Sequence, residues 1–331
     1  MLAARRRALP LIVMVLLLAF PLVTTGFYLE FIAKVMILAI FALSLELLVG
    51  ATGLVSLGHA AFYGVAAYAT VLLSPQYAAA NFFLILPAAV ICAALYALFV
   101  GALSLRTKGV YFIMVTLAFA QMAYYVFHDT KLGGGTDGIY LNFKPEVALF
   151  GTRLVDLGKP VAFYYLVFAC LVLVFLFLAV LQMSRFGRVL AGIKSNEQRM
   201  RAAGFATFPY KWAAFTLAGA LAGLAGVLVA VKDGFVNPEM LSWHESGAVL
   251  LMLILGGTGR LSGAVLGAFA FALLQLFFQW EVVFGNFAKH WPLLFGATII
   301  VCVATMPDGL IGLPAQVRAR RTRMIGKGAD A

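Results

Sequence analysis

Charge is scarce in this chain. Only 11% of its 331 residues are charged, against 64% that are hydrophobic, and the mean hydropathy is +1.02. Soluble domains carry about one quarter charged residues. A single water-soluble domain of this length is therefore excluded, and so is a disordered chain, which is poor in apolar groups. Cysteine is nearly absent as well. The 3 cysteines, Cys92, Cys170 and Cys302, lie far apart inside apolar runs. They have neither metal-ligand spacing nor a disulfide framework, which argues against redox chemistry. The 4 histidines, His59, His128, His244 and His290, are scattered and suggest no metal cluster. No G-x-x-x-x-G-K-[ST] loop occurs, so the chain does not bind ATP by that route. His244-Glu245 is followed by Ala248 where H-E-x-x-H needs its second histidine, and no G-x-S-x-G is present. Gly133–Gly138 does fit G-x-G-x-x-G, but it lies between two apolar runs rather than between a strand and a helix.

What is abundant is long apolar sequence. A helix needs about 20 apolar residues to cross a bilayer. Ten runs are candidates, several of them short or rich in glycine, centred on Leu9–Tyr28, Phe31–Val49, Gly53–Leu73, Phe82–Leu105, Val110–Phe127, Val161–Gln182, Trp212–Val231, Gly247–Leu255, Gly263–Trp280 and Pro292–Thr305. The expected fold class is an all-α integral membrane protein of about ten transmembrane helices. Residues 1–331 form one transmembrane domain. Arg5-Arg6-Arg7 ahead of the first run mimics a signal peptide, but the run is long and no A-x-A site follows, so it is read as an uncleaved span.

The net charge of +11 is then a matter of sides. With ten spans, one side receives Arg5, Arg6, Arg7, Arg106, Lys108, Arg185, Arg188, Lys194, Arg199, Arg201, Lys211, Arg260, Arg318, Arg320, Arg321, Arg323 and Lys327, with only Glu197, Asp308 and Asp330 as acids. The other side receives Lys131, Lys144, Arg153, Lys159, Lys232 and Lys289, outnumbered by Glu30, Asp129, Asp137, Glu146, Asp156, Asp233, Glu239, Glu245 and Glu281. The positive side is cytoplasmic. Both termini are expected there: a basic N-terminus over 1–8 and a basic tail over 306–331. The Arg318–Lys327 stretch would lie near anionic headgroups. Residues 129–160 form an external loop and 184–211 a cytoplasmic one. The excess charge is topological signal, and no nucleic acid is implied.

Glycine clusters where spans begin or end, at Gly50–Gly64 and Leu255–Gly267. It weakens helix interiors, so in a membrane it marks either tight packing or a broken helix lining a solute path. Broken or re-entrant helices are expected at these segments. Both contain T-G-x-x-S, at Thr52–Ser56 and Thr258–Ser262, which hints at a distant internal repeat. Gly219–Gly223 and Gly263–Gly267 are small-xxx-small packing faces. Glu46 is an acid within a span, near its cytoplasmic end and able to reach the interface; an intramembrane acid suggests a pathway role. The candidate path residues are Glu46, Thr52, Gly53, Ser56, His59, Thr258 and Gly259, with a structural role as the competing reading for His59.

The 184–211 loop carries six of the positive side's cations. Ser195 with Gln198 three later has the form of a capping box, and Gly204 is a natural helix stop. The helix between them is about eight residues, too short to be stable alone in water. Pro209 suits the first turn of the next span. Such a helix suggests either a docking element or a solvated connector.

This segment, with Lys211-Trp212-Ala213-Ala214-Phe215 and Ala218–Gly226 after it, resembles the signature region of branched-chain amino-acid ABC transporter permeases. Thr52–Phe62, Arg106–Phe112, Gly134–Gly138 and Leu255–Gly267 resemble the same family, in order, over roughly residues 30 to 310. The long N-terminal run and the loop type are similar to the larger of its two permeases. The resemblance implies a membrane subunit of an importer, paired with a second homologous permease, energised by two cytoplasmic ATPases and fed by a periplasmic solute-binding protein. ATP and Mg would sit on the ATPases, with no cofactor or metal in this chain and no catalytic residue. Ser195, Asn196, Glu197, Gln198, Arg199, Met200, Ala203 and Gly204 would form the coupling helix that seats in an ATPase groove. The family also includes permeases for urea, short amides and aromatic acids. A stand-alone secondary transporter is the competing class, but only Lys34, Glu46 and His59 could serve its ion coupling. A membrane-embedded enzyme lacks any nucleophile, base or metal constellation.

Overall fold

The computed structural model describes residues 14, 16–22, 24, 26–149, 152–306 and 308–312. Nine of the ten expected runs coincide with helices: α1 (Phe27–Val49), α2 (His59–Leu72), α3 (Phe82–Ser104), α4 (Val110–Asp129), α5 (Pro160–Met183), α8 (Thr207–Asp233), α9 (Trp243–Gly256), α10 (Leu261–Phe278) and α12 (Trp291–Thr305). Between them lie α6 (Arg185–Ser195), α7 (Glu197–Ala202) and the single turn α11 (Glu281–Phe284). Much of the first run, Leu9–Tyr28, lies outside the described residues, as do the basic segments 1–8 and 313–331. Its helical stretch over 16–22 docks on α5, where the Tyr164 hydroxyl donates to the Leu17 carbonyl at 2.7 Å. Six helices among the described residues are long and apolar enough to cross a membrane.

The core is α1, buried along most of its length, with Phe41, Leu43 and Leu45 almost inaccessible. Around it pack α5, α8, α9 and α10. The outer faces of α3, α4 and α5 are bare apolar surface, including Leu84, Leu95, Met114, Met122, Leu173 and Val180. Continuous exposed apolar faces of this kind are rare in water-soluble monomers and suit lipid or protein in a bilayer. Lipid is itself apolar, so close packing holds such a bundle together. Helix α8 supplies it with a glycine row. A methyl on Gly219 or Gly223 would strike Ala97 or Ala93 of α3, and one on Gly226 would strike the Tyr63 carbonyl of α2. Gly267 sits equally close to the Met252 carbonyl of α9. Both small-xxx-small faces are therefore packing faces.

The run expected as Gly53–Leu73 is not one continuous span. Residues 50–58 leave the helix, and α2 has 14 residues, about 21 Å of helix against a hydrocarbon layer of about 30 Å. The same order occurs again: the long helix α8, an interruption over 234–242, then α9, also 14 residues. The two units run in opposite senses. The C-terminus of α1 and the N-terminus of α8 lie at one end, joined through the 185–211 segment. The short helices start beside each other, where the Ala60 amide of α2 donates to Ser246 Oγ of α9 at 2.9 Å. The 50–58 loop precedes its short helix, whereas the 257–260 loop follows its own. The two T-G-x-x-S segments are thus not equivalent positions of a repeat; the repeated unit is the interrupted helix pair.

At the opposite end, residues 129–160 carry short strands rather than a bare connector. β1 (Ile139–Tyr140) pairs antiparallel with β4 (Phe235–Val236), and β2 (Glu146–Leu149) pairs with β3 (Thr152–Asp156). The β1–β4 pair ties the loop to the interruption after α8.

Candidate functional site

The 185–211 segment is built in two helical pieces. Ser184 caps α6 by accepting the Gly187 amide at 3.2 Å, and Gly187, Leu190 and Ile193 form its buried stripe. Asn196 then breaks the run with φ −161°, and its side chain accepts the Arg199 amide at 2.9 Å. The capping box expected at Ser195 and Gln198 is not formed. Ser195 ends α6 and its hydroxyl donates to Gly192 O at 2.9 Å, while Asn196 takes the cap, for which Asn is as good as Ser. Helix α7 has 6 residues rather than about eight. Its end matches the expectation. The Phe205 amide reaches Met200 O at 3.1 Å and the Gly204 amide reaches Arg201 O at 2.9 Å, a Schellman pair closed by Gly204 at φ +87°. Gln198, Arg199, Ala203 and Gly204 are exposed, and Phe205 keeps 40% of its surface open. Met200 instead turns back onto Gly192 of α6.

Glu197 fastens this piece to α8. Its Oε1 accepts from Lys211 Nζ at 2.9 Å, from Thr207 Oγ1 at 2.9 Å and from Arg201. The Lys211 side chain is only 7% exposed, so its ammonium depends on this partner. Burial pushes the Glu197 carboxyl up, but the Lys211 and Thr207 hydrogen bonds, the Lys211 charge and Arg201 outweigh it and hold it at about 2. The Glu197 carboxylate is thus ionised throughout the physiological range. Arg201 joins the clamp while half of its side chain stays exposed.

The same segment touches the first glycine loop. Lys194 Nζ donates to the Gly50 carbonyl at 2.7 Å, and its stem lies beside Gly53, which holds φ +76°. Glu46 sits one turn before, folded over Gly50. It does not reach an interface. It is fully buried, and neither carboxylate oxygen makes a hydrogen bond of ordinary geometry. The groups that face it are the backbone amides of Gly259 and Arg260 and the charge of Lys194. The two glycine loops therefore meet at this carboxylate, each with its T-G glycine at positive φ, +76° at Gly53 and +86° at Gly259.

The other expected path residues separate from this junction. Thr52 donates back to Leu48 O in the last turn of α1 at 2.7 Å, and Ser56 accepts the Gly58 amide at 3.2 Å within the loop. Thr258 is exposed. His59 opens α2, fully buried, with Nε2 2.8 Å from Ser44 Oγ. Ser44 donates its proton to Phe41 O at 2.6 Å, so the imidazole donates through Nε2 and leaves Nδ1 without a partner. His59 also stacks on Phe41. Among the described residues no group of three His, Cys, Asp or Glu could hold a metal ion. Sequence reasoning missed Lys211 and Thr207 as Glu197 partners, and Ser44 and Ser246 around the start of α2. Each pairing joins different helices and leaves no local pattern.

An apolar helical bundle with interrupted helices and a short, clamped helix at one end is the architecture of a multi-pass membrane protein. The family described as the branched-chain amino acid transport system / permease component matches residues 27–303, and the chain belongs to that family. Membership makes it a transport subunit, not an enzyme. It is 30% identical over 320 residues to the high-affinity branched-chain amino acid transport system permease protein LivM of Escherichia coli, covering 90% of this chain and 73% of that protein. The LivM protein of Salmonella typhimurium is 29% identical over the same extent. A shorter stretch of 94 residues is 38% identical to the autoinducer 2 import system permease protein LsrC of Klebsiella pneumoniae, covering 27% of each chain. No solved structure matches the chain.

Proposed function

We propose that this chain is one of two permease subunits in an ATP-driven importer for branched-chain or related amino acids. It sits in the bacterial inner membrane with both termini cytoplasmic. A second homologous permease would complete the path, two cytoplasmic ATPases would supply ATP and Mg chemistry, and a periplasmic binding protein would deliver solute. The observation that carries this reading is the clamped α7 helix: exposed on its outer face, with the aromatic Phe205 open beside it, and fixed underneath to α8 through Glu197. A connector with no partner has no need of a half-buried ion pair and two capped ends. The sequence brings no phosphate-binding loop of its own, so the energy must arrive through contact. Positive charge at this end would steer docking more than hold it.

The test is leucine uptake into proteoliposomes holding the complete importer. Uptake is expected to need internal-side ATP and the binding protein, and to survive a protonophore. Uptake by this permease alone, lost when the proton gradient collapses at constant ATP, would establish a secondary transporter instead.

A further inference from the structure

The α7 helix is tied to two different long helices from its N-terminal side, by its own first residue and by Lys194 near the end of α6 just before it. Glu197 at its start grips Lys211 in the first turns of α8. Three residues earlier, Lys194 grips the Gly50 carbonyl, the first group beyond the end of α1. Helices α1 and α8 are the two that lead into the interruptions at 50–58 and 234–242. Gly50 also carries Glu46 folded against it, and Glu46 in turn faces the amides of the 259–260 loop. That second loop is closely packed in its turn, because Gly257 lies against the Asp308 carbonyl and Ile311. A shift of α7 thus has a route of direct contacts into both glycine loops, and the route passes through one exposed side chain.

We propose that Lys194 is a positioning residue that transmits movement of the α7 helix to the two glycine loops, through its bond to Gly50 and the contact of its stem with Gly53. This rests on the importer reading above. Lys194 does not touch solute on this account; it makes the position of the 50–58 and 257–260 loops follow the position of α7. Being exposed, it can be changed without opening the core.

Two readouts test it. In proteoliposomes with the complete importer and radiolabelled leucine, Lys194→Met keeps the aliphatic stem on Gly53 but loses the donor. Leucine moved per ATP hydrolysed is expected to fall about tenfold, within the span of measured coupling energies, and Lys194→Arg is expected to restore most of it. A ratio unchanged in Lys194→Met, including the case where uptake and hydrolysis fall together, overturns the proposal. The second readout needs no solute. Hydrogen exchange of the purified permease is expected to quicken at 50–58 and 257–260 in Lys194→Met and to stay constant in α3. Unchanged exchange in both loops overturns the linkage. If the wild-type importer moves no leucine with ATP, the functional reading fails, and the exchange result still decides the linkage by itself.

Discussion

Glu197→Arg is expected to abolish uptake while the permease still inserts and assembles in the membrane. Insertion is set by the apolar runs, and Glu197 lies outside them. The substitution removes the partner of a nearly buried ammonium and puts a second cation beside it. Deleting one member of a buried pair costs about 3 kcal/mol, the low end of the usual range because Glu197 keeps some contact with water. Arg201 and Thr207 lose their acceptor at the same time. Helix α7 would then no longer sit in fixed relation to α8, and force applied to it would not reach the bundle. Uptake should drop by about a hundredfold, near the top of the range for coupling energies. Gly204→Pro should do the same by a different route. Gly204 sits at φ +87° and its amide bonds to Arg201, whereas proline fixes φ near −65° and has no amide proton. Normal uptake in both variants, at normal membrane levels, would remove α7 from the mechanism.

Gly226→Ala should unfold or disperse the bundle, although it adds one methyl group. That methyl would enter the Tyr63 carbonyl and crowd the Ala67 amide. Both are backbone of a buried helix and cannot swing aside as a side chain would. Helix α8 would have to move away from α2 and with it lose its seat on α3. Overpacking of this kind costs about 3 kcal/mol or more, which in a chain of this size should lower the unfolding temperature by about 6 °C or more. The matched control is Gly296→Ala in α12, where nothing lies within 4 Å of the new carbon. There the melting temperature should hold or rise, since Ala is the better helix former by about 1 kcal/mol. Equal melting temperatures for the two variants, measured by fluorescence-detected size exclusion after heating, would contradict the α2–α8 contact.

The long helices were legible because an apolar run of about 20 residues has few other uses. The interruption at 50–58 was legible only in part. Gly50, Gly53 and Gly58 marked a weak stretch, but Leu54, Val55 and Leu57 between them are as apolar as any span, so hydropathy ran through it without a break. Helix α6 hid for the opposite reason: its charges made it read as loop, although Gly187, Leu190 and Ile193 already kept helical spacing. Glu46 was placed near an interface by its position in the run. It is in fact buried, and the backbone amides that face it belong to the 257–260 loop, some two hundred residues further on. The T-G-x-x-S similarity suggested a repeat between two loops that prove to stand on opposite sides of their short helices. The repeat that does exist lies in helix lengths and direction, which residue identities did not show. Contacts such as Lys194 with Gly50, or His59 with Ser44, belong to no local pattern and emerge only once the helices are packed.

Cross-linking from α7 is the most direct test of the central claim that this helix is where an ATPase docks. Gln198 is exposed on α7, and Thr136 lies in the 129–160 loop at the opposite end of the bundle. Each would be changed to cysteine in a permease whose three natural cysteines are replaced, assembled with its partners, and treated with a short thiol-to-amine reagent. The account predicts an adduct between Gln198→Cys and the ATPase subunit, and none with that subunit from Thr136→Cys. No ATPase adduct from position 198, or one from position 136, would contradict it.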